Sequence, residues 1–369
     1  MKILFCRYSS CFLAVLGIIV LTSLSSCTST QPITQTQCTT LDSQQVAHTL
    51  NSIHQAIGLD YMRRLALANQ PNAEGALSRN IRAYFHVRFQ ISISTLTLYA
   101  VGAQNTAELE KAVKAIEYSF AYQKPDGDFQ IVQPSTLTNV PPPMEVDLAS
   151  GAAFFLSSLG VSLTSMQEST WFMTSAEARP YRERIERLKP KFESALQHLM
   201  RKSEVLRRGD AEAPNRLFFD ALAYQTLGNY LKNSEAQALA VQFVEAGLAL
   251  QVPEGYFKEG TGYDSSYQGV GLSVGWNIYL TLPPQSAIKS RLWKALTCGT
   301  SWQRSRVTAN GEILTQGNAR VYPGGEKFLG EEKEIAWKDT VFSFWYFFHA
   351  TQITEYKTLA DAMLKFYDR

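Results

Sequence analysis

The sequence predicts an all-α chain folded as an α/α toroid, an incomplete or full (α/α)5-6 barrel of helical hairpins. Three observations predict it. First, apolar residues recur at helical spacing along most of the chain, as in Ala112, Ile116 and Phe120 or Leu222, Leu227 and Tyr230. Second, a short motif returns three times behind such stretches: Lys124-Pro125-Asp126-Gly127-Asp128-Phe129, Val252-Pro253-Glu254-Gly255-Tyr256-Phe257 and Thr308-Ala309-Asn310-Gly311-Glu312-Ile313. In each, an acid or Asn precedes Gly, supplying the left-handed backbone of a tight turn at a helix end, with an apolar residue two places on. Third, an apolar segment marked by an Asp follows each copy, at Asp147, Asp264 and Asp339. Helix, rim turn and return helix make an αα-hairpin, and repeated hairpins close into a ring.

The N-terminus lies outside that pattern. Lys2 and Arg7 form a positive n-region, and Phe12 to Leu24 is an apolar run too short for an ordinary membrane span. It ends in Leu24-Ser25-Ser26-Cys27, which resembles the lipobox of bacterial lipoproteins. That resemblance implies a signal peptide over residues 1–26, lipidation at Cys27 and, with Thr28 and Ser29 rather than Asp following, an outer-membrane address. An ordinary cleaved signal or an uncleaved anchor is the alternative reading. Residues 27–41 are rich in Ser, Thr and Gln and read as a flexible lipidated tether. Residues 42–369 carry no linker-like break and read as one toroid domain.

Within it, the spacing predicts helices over 43–68, 77–102, 106–123, 148–160, 176–202, 216–231, 235–250, 265–281, 287–304, 340–350 and 353–367. Asn105 and Ser234, each followed three residues later by Glu or Gln, mark two helix starts. Asp147, Asp264 and Asp339 read as N-caps of the return helices. The Pro run at 141–143 reads as a rim loop.

Composition excludes more than it selects. The chain holds 35 Lys and Arg against 33 Asp and Glu; loss of Lys2 and Arg7 with the signal leaves 33 of each. A neutral mature chain gives no global field for nucleic acid, and binding of an acidic polymer would have to be local. No GxGxxG, GxxxxGK[ST] or GxSxG occurs, which disfavours nucleotide folds and common serine hydrolases. No CxxC, Cys/His cluster or HExxH points to a metal, and no cofactor is expected. After the signal and Cys27, only Cys38 and Cys298 remain; in an oxidising compartment they are candidates to pair.

The densest polar and aromatic segment is Glu254 to Gly271, containing Lys258, Glu259, Tyr263, Asp264, Tyr267 and Gln268. Such a loop between hairpins is a usual place for a site. The segment resembles the DG-x-F…Y-x-G-x-x-G stretch of α/α-toroid polysaccharide lyases, the hyaluronate, chondroitin, alginate and heparin lyase group, within the six-hairpin glycosidase-like folds. The resemblance implies β-elimination on a uronate-bearing polysaccharide. There Tyr267 or Tyr263 acts as acid and base, and Asn215 with Arg320 or Arg216 neutralises the carboxylate. Lys258, Glu259, Gln268 and Tyr322 would contact substrate. The chemistry explains the types: the C5 proton becomes acidic only beside a neutralised carboxylate, and a nearby Arg favours phenolate. Many toroid lyases carry a His where this chain has Gly260; His86 is the candidate to enter from another hairpin. A toroid glycoside hydrolase using Asp264 with Glu259 or Asp126, or a non-catalytic glycan- or protein-binding toroid, are the alternatives. The expected partners are a cell-envelope glycan and, through Cys27, the membrane.

Cys27→Ala should release the chain from the membrane fraction or stall its processing; an unchanged fractionation would refute the lipobox reading.

Overall fold

The computed structural model describes residues 48–82, 84–133, 143–328 and 331–368. The signal segment, the tether and most of the Pro run lie outside the described residues. The described chain is helical throughout: α1 (Leu50–Ile57), α2 (Leu59–Leu67), α3 (Ile93–Gly102), α4 (Thr106–Ala121), α5 (Glu145–Glu168), α6 (Thr170–Thr174), α7 (Arg179–Arg201), α8 (Ser203–Gly209), α9 (Pro214–Leu231), α10 (Ser234–Leu248), α11 (Ser265–Thr281), α12 (Ala287–Ser305), α13 (Trp337–Thr351) and α14 (Thr354–Tyr367). The strands described are two-residue pieces, Lys327–Phe328 and Glu331–Glu332, paired antiparallel.

These helices form a closed double ring. In the inner layer α3, α5, α9, α11 and α13 pack side by side in that order, and α1 lies between α13 and α3. Outside, α4, α7, α10, α12 and α14 cover the seams. The layering follows from composition. α5 is apolar enough to cross a membrane by length and content, yet 83% of its apolar window is buried between its neighbours. α7, with Arg and Glu interleaved, presents one buried stripe (Ile185, Phe192, Leu196) and a charged outer face.

The repeated motif acts as the joint between hairpins. After α4, Lys124 N–H donates to Asp128 O at 2.7 Å, Gly127 to Lys124 O at 3.0 Å and Gln130 to Tyr122 O at 2.9 Å. After α10 the same ladder runs Val252 to Tyr256, Gly255 to Val252 and Lys258 to Leu250. After α12 it runs Thr308 to Glu312, Gly311 to Thr308 and Leu314 to Arg306. The three glycines hold φ of 91°, 102° and 93°. Each presses on the backbone of the next outer helix: Gly127 on Ser194 of α7, Gly255 on Cys298 of α12, Gly311 on Ala362 of α14.

A fourth copy escaped the sequence reading. Asn72 N–H donates to Ala76 O at 3.0 Å and Gly75 to Asn72 O at 3.1 Å, with Gly75 at φ 103° against Lys114 of α4. Its Glu74-Gly75 pair and apolar Leu77 two places on fit the pattern, but Leu77 reads in sequence as the start of the helix expected over 77–102.

Several predicted elements change. The helix expected over 43–68 is broken at Gly58, whose φ of 114° no helix tolerates. The helix expected over 77–102 is two 3-10 turns followed by α3, because Asn80 ties its amide to the backbone of His86 and to Gln90. Of the three expected N-caps only Asp264 is one; its Oδ1 accepts from Ser266 and Tyr267 N–H, each at 3.0 Å. Asp147 and Asp339 lie inside the first turns of α5 and α13. Cys298 is disulfide-bonded, and its expected partner Cys38 lies outside the described residues.

A Cβ on Gly255 would lie 2.7 Å from Cys298 O while forced into left-handed geometry. Gly255→Ala should therefore cost roughly 2–4 kcal/mol in urea denaturation. Gly324→Ala, with φ 79° and open space around it, should lose only about 1 kcal/mol.

Candidate functional site

Because an outer helix separates consecutive inner helices, the inner helices point the same way and their N-termini share one rim. Charged side chains gather there. Arg320, in the loop between α12 and α13, is the hub. It donates from Nη1 to Glu259 Oε1 and from Nη2 to Glu326 Oε1 at 2.8 Å, and its guanidinium lies 4.5 Å from the Tyr267 ring centroid. Tyr267, in the first turn of α11, donates its hydroxyl to Glu326 Oε2 at 2.8 Å and accepts from Lys333 Nζ. Arg216, in the first turn of α9, donates to Asp210 Oδ1 at 3.0 Å, while Asp210 Oδ2 accepts from Ser150 at 2.8 Å. Arg88, just ahead of α3, stands over Phe154 with its guanidinium 4.8 Å from the ring centroid. It is near enough to Arg216, Tyr267, Glu326 and Lys333 to interact with each electrostatically.

The arrangement has a front and a back. Glu259 and Asp210 keep 2% and 0% of their side-chain surface, whereas Arg320 and Arg216, which they hold, keep 29% and 25%. Lys333 and Glu326 are exposed to a similar degree, 23% and 25%. Two buried carboxylates thus brace two guanidinium arms from behind. The face turned to solvent carries guanidinium, ammonium and phenol with a single carboxylate.

Asp264 fixes the loop that delivers Arg320. Beyond capping α11, its Oδ2 accepts from Arg320 N–H at 3.0 Å and Val321 N–H at 2.7 Å. Four backbone donors on one buried carboxylate leave it no lone pair for acid–base work.

Protonation follows burial and partners. Burial raises the Tyr267 phenol well above its ordinary value; Arg320 opposes this, but Glu326 adds to it. Arg320 does favour the phenolate as expected, but burial and Glu326 outweigh it and the phenol stays protonated. Burial would raise Glu326 too, but hydrogen bonds from Lys333, Tyr267 and Arg320 outweigh it and bring the carboxyl down to about 2. At Glu259 burial wins over Arg320 and pushes the carboxyl up to about 7, and Oε2 is buried without a partner among the described residues. Asp220, deeper on α9 and wholly buried, is raised strongly by burial and by Asp210. Burial and Arg88 lower His86 to about 4, so its imidazole is neutral.

The rim therefore brings together Tyr267, Arg320, Glu259 and Arg216. Asn215 lies beside them at the second position of α9, 5% exposed, with Oδ1 unpartnered among the described residues. It is not an N-cap, since Ala213 holds that place. Other expected residues do other work. Tyr263 precedes the α11 cap instead of joining the helix, so it shares no helical face with Tyr267. It packs against Trp302 and Tyr256, at 5.3 and 5.7 Å between centroids, and bonds Gln316 O. Gln268 is a brace: Oε1 accepts from Phe257 N–H at 2.8 Å and Nε2 donates to Gly299 O at 3.3 Å. Lys258 and Tyr322 are exposed and, among the described residues, make no side-chain hydrogen bond to the cluster. Asp126 sits on an outer motif turn, bonded to Asp128 N–H.

Arg88, Asp210, Glu326 and Lys333 were not singled out from sequence. Arg88 was masked by an apparent helical run, and the others stand in loops without periodicity. Among the described residues no group of three or more His, Cys, Asp or Glu is placed to hold a metal ion.

No family of known proteins matches the chain by sequence, and no curated protein does. Solved structures with a similar backbone path include an unsaturated glucuronyl hydrolase responsible for glycosaminoglycan degradation, from Bacillus sp. GL1, at 12% identity. It covers 84% of this chain and 98% of that one, with a TM-score of 0.48. A UGL variant with dGlcA-Glc-Rha-Glc has 13% identity, 85% and 89% coverage and a TM-score of 0.49. A sugar epimerase from a ruminal bacterium has 9% identity, 80% and 86% coverage and a TM-score of 0.48.

A carboxyl whose folded pKa is raised holds its proton more tightly when folded. The stability Glu259 contributes is therefore complete below its ordinary value of 4.5 and is lost as pH rises through about 7. Glu259→Gln should remove about 2–3 kcal/mol of the stability loss over that window, read by urea titration at pH 4.5 and about pH 8.

Proposed function

We propose that the chain is a glycan-processing toroid that takes a uronate-bearing polysaccharide at the rim cleft, tethered to the cell envelope through Cys27. One observation carries the reading: two guanidinium arms, Arg320 and Arg216, are braced from behind by buried Glu259 and Asp210 and turned outward beside Tyr267. Planar guanidinium matches a sugar carboxylate bidentately. Bracing fixes the arms, so less side-chain entropy is lost on binding.

The reaction these groups favour is β-elimination. Neutralising the carboxylate acidifies the C5 proton, and a phenol kept protonated is suited to protonate the departing glycosidic oxygen. The balancing base is the ionised Glu326 carboxylate: it takes the C5 proton while the Tyr267 O–H protonates the glycosidic oxygen, and it then hands that proton to the phenolate it is hydrogen-bonded to, so both groups end as they began. The carboxylate pair Asp264 and Glu259 is less suited to hydrolysis, because Asp264 is saturated with backbone donors.

Ultraviolet absorbance separates the readings. Growth of the unsaturated-uronate signal on a panel of uronate polysaccharides supports elimination. Loss of that signal from unsaturated oligosaccharides, or new reducing ends without it, supports hydrolysis. Absence of every signal favours a binding protein. If elimination operates, Tyr267→Phe should reduce turnover by roughly 10²–10⁴-fold with folding intact. Wild-type turnover in that variant would remove Tyr267 from the mechanism.

A further inference from the structure

Below the charged rim the ring encloses a cavity of about 290 Å³, lined from α1, α2, α3, α5, α9, α11 and α13. It lies next to the cleft along two helices. Phe219 and Val270, both in its wall, stand one turn beyond Arg216 and Tyr267. Phe219 also meets Phe154 edge-on at 4.6 Å, and Phe154 is the ring beneath Arg88.

The cavity differs from the rim in chemistry. Its polar groups are mainly hydroxyls and acceptors. Asp339 faces it with Ser273 as hydrogen-bond partner, and burial pushes that carboxyl up to about 6. Asn277 spends its Nδ2 on Ser273 O at 3.1 Å, leaving Oδ1 buried without a partner among the described residues. Ser94 and Ser158 bond each other weakly at 3.4 Å across the α3–α5 seam, so both retain bonding capacity. Phe219, Phe342 and Val274 supply an apolar wall. Surplus acceptors beside aromatic faces suit a ring that carries many O–H donors on an apolar C–H face. An acidic unit would meet Asp339 with like charge, offset only in part by Lys338, the one Lys or Arg in the same wall. The volume sits at the lower edge of small-ligand sites, roughly 300–1,000 Å³, which is room for one sugar ring and not a chain.

We propose that this cavity binds a neutral, hydroxyl-rich sugar unit, with Asp339 and Asn277 accepting from its hydroxyls. The inference rests on the glycan reading of the rim for its ligand class, but its test needs no turnover. Asp339 is then a specificity residue that turns acidic sugars away from the interior and leaves them to Arg320 and Arg216.

Full-length protein is titrated with glucose, galactose and glucuronate, followed by calorimetry and saturation-transfer NMR. Glucose or galactose should bind the wild type, and the dissociation constant should rise at least about tenfold in Asp339→Asn and in Asn277→Leu. Asp339→Asn should also let glucuronate compete with the neutral sugar for the cavity. Circular dichroism melting reports folding, and either variant that folds decides the matter. Three results would overturn the proposal: neither neutral sugar binds the wild type, the folded variants bind as the wild type does, or neutral-sugar binding disappears in Arg320→Met but survives in Asp339→Asn. Failure of the rim reading looks different. There, glucose binding depends on Asp339 while no uronate glycan is bound or processed.

Discussion

The ring depends on a backbone contact that only glycine permits. At Gly75, Gly127, Gly255 and Gly311 the chain turns back with positive φ and lies directly on the backbone of the next outer helix. A side chain there would hold adjacent hairpins apart. Each turn thereby sets the distance and angle of its successor, and error at one joint would accumulate around the ring. Glutamines reinforce the contact. Gln123 reaches Lys191 O at 2.9 Å and Gln251 reaches Ala295 O at 2.7 Å, stitching the helix end to the following outer helix. On the inner side Gln90 and Gln268 each accept from the residue two past the glycine, Leu77 N–H at 2.7 Å and Phe257 N–H at 2.8 Å.

The site is a consequence of that geometry. Stacking hairpins in one sense puts the N-termini of the inner helices on one rim, where unpaired N–H groups and aligned dipoles favour negative charge. Tyr267, Arg216 and Asn215 occupy first turns, and the loop carrying Arg320, Glu326 and Lys333 folds over them. Buried carboxylates then keep the cations in place. A buried ion pair contributes little net stability against an apolar replacement, but losing one partner is costly. Such pairs at a rim are better understood as fixing side-chain direction than as holding the ring together.

Sequence and structure part at identifiable points. The toroid was legible because periodic apolar spacing and three Gly turns are local signals. The fourth turn was not, since its apolar Leu77 reads as the first residue of the helix expected over 77–102. At the site, Tyr267, Glu259 and Arg320 were legible from a dense polar segment and an Arg-bearing loop, and Arg216 only through the family resemblance. Tyr263 and Gln268 were indistinguishable from them in sequence. One packs against Trp302 and the other braces a turn, and only the direction of each side chain separates the roles.

The sequence by itself determined the helical class, the glycine joints and the residue types available for chemistry. Those are set by neighbours a few residues away, through backbone geometry and apolar period. Tertiary structure alone decided which charges meet. Arg320 finds Glu259 across 61 residues and Tyr267 finds Lys333 across 66. It also decided protonation: a phenol expected to be acidified by Arg is held protonated, because burial depends on what the whole ring packs around it.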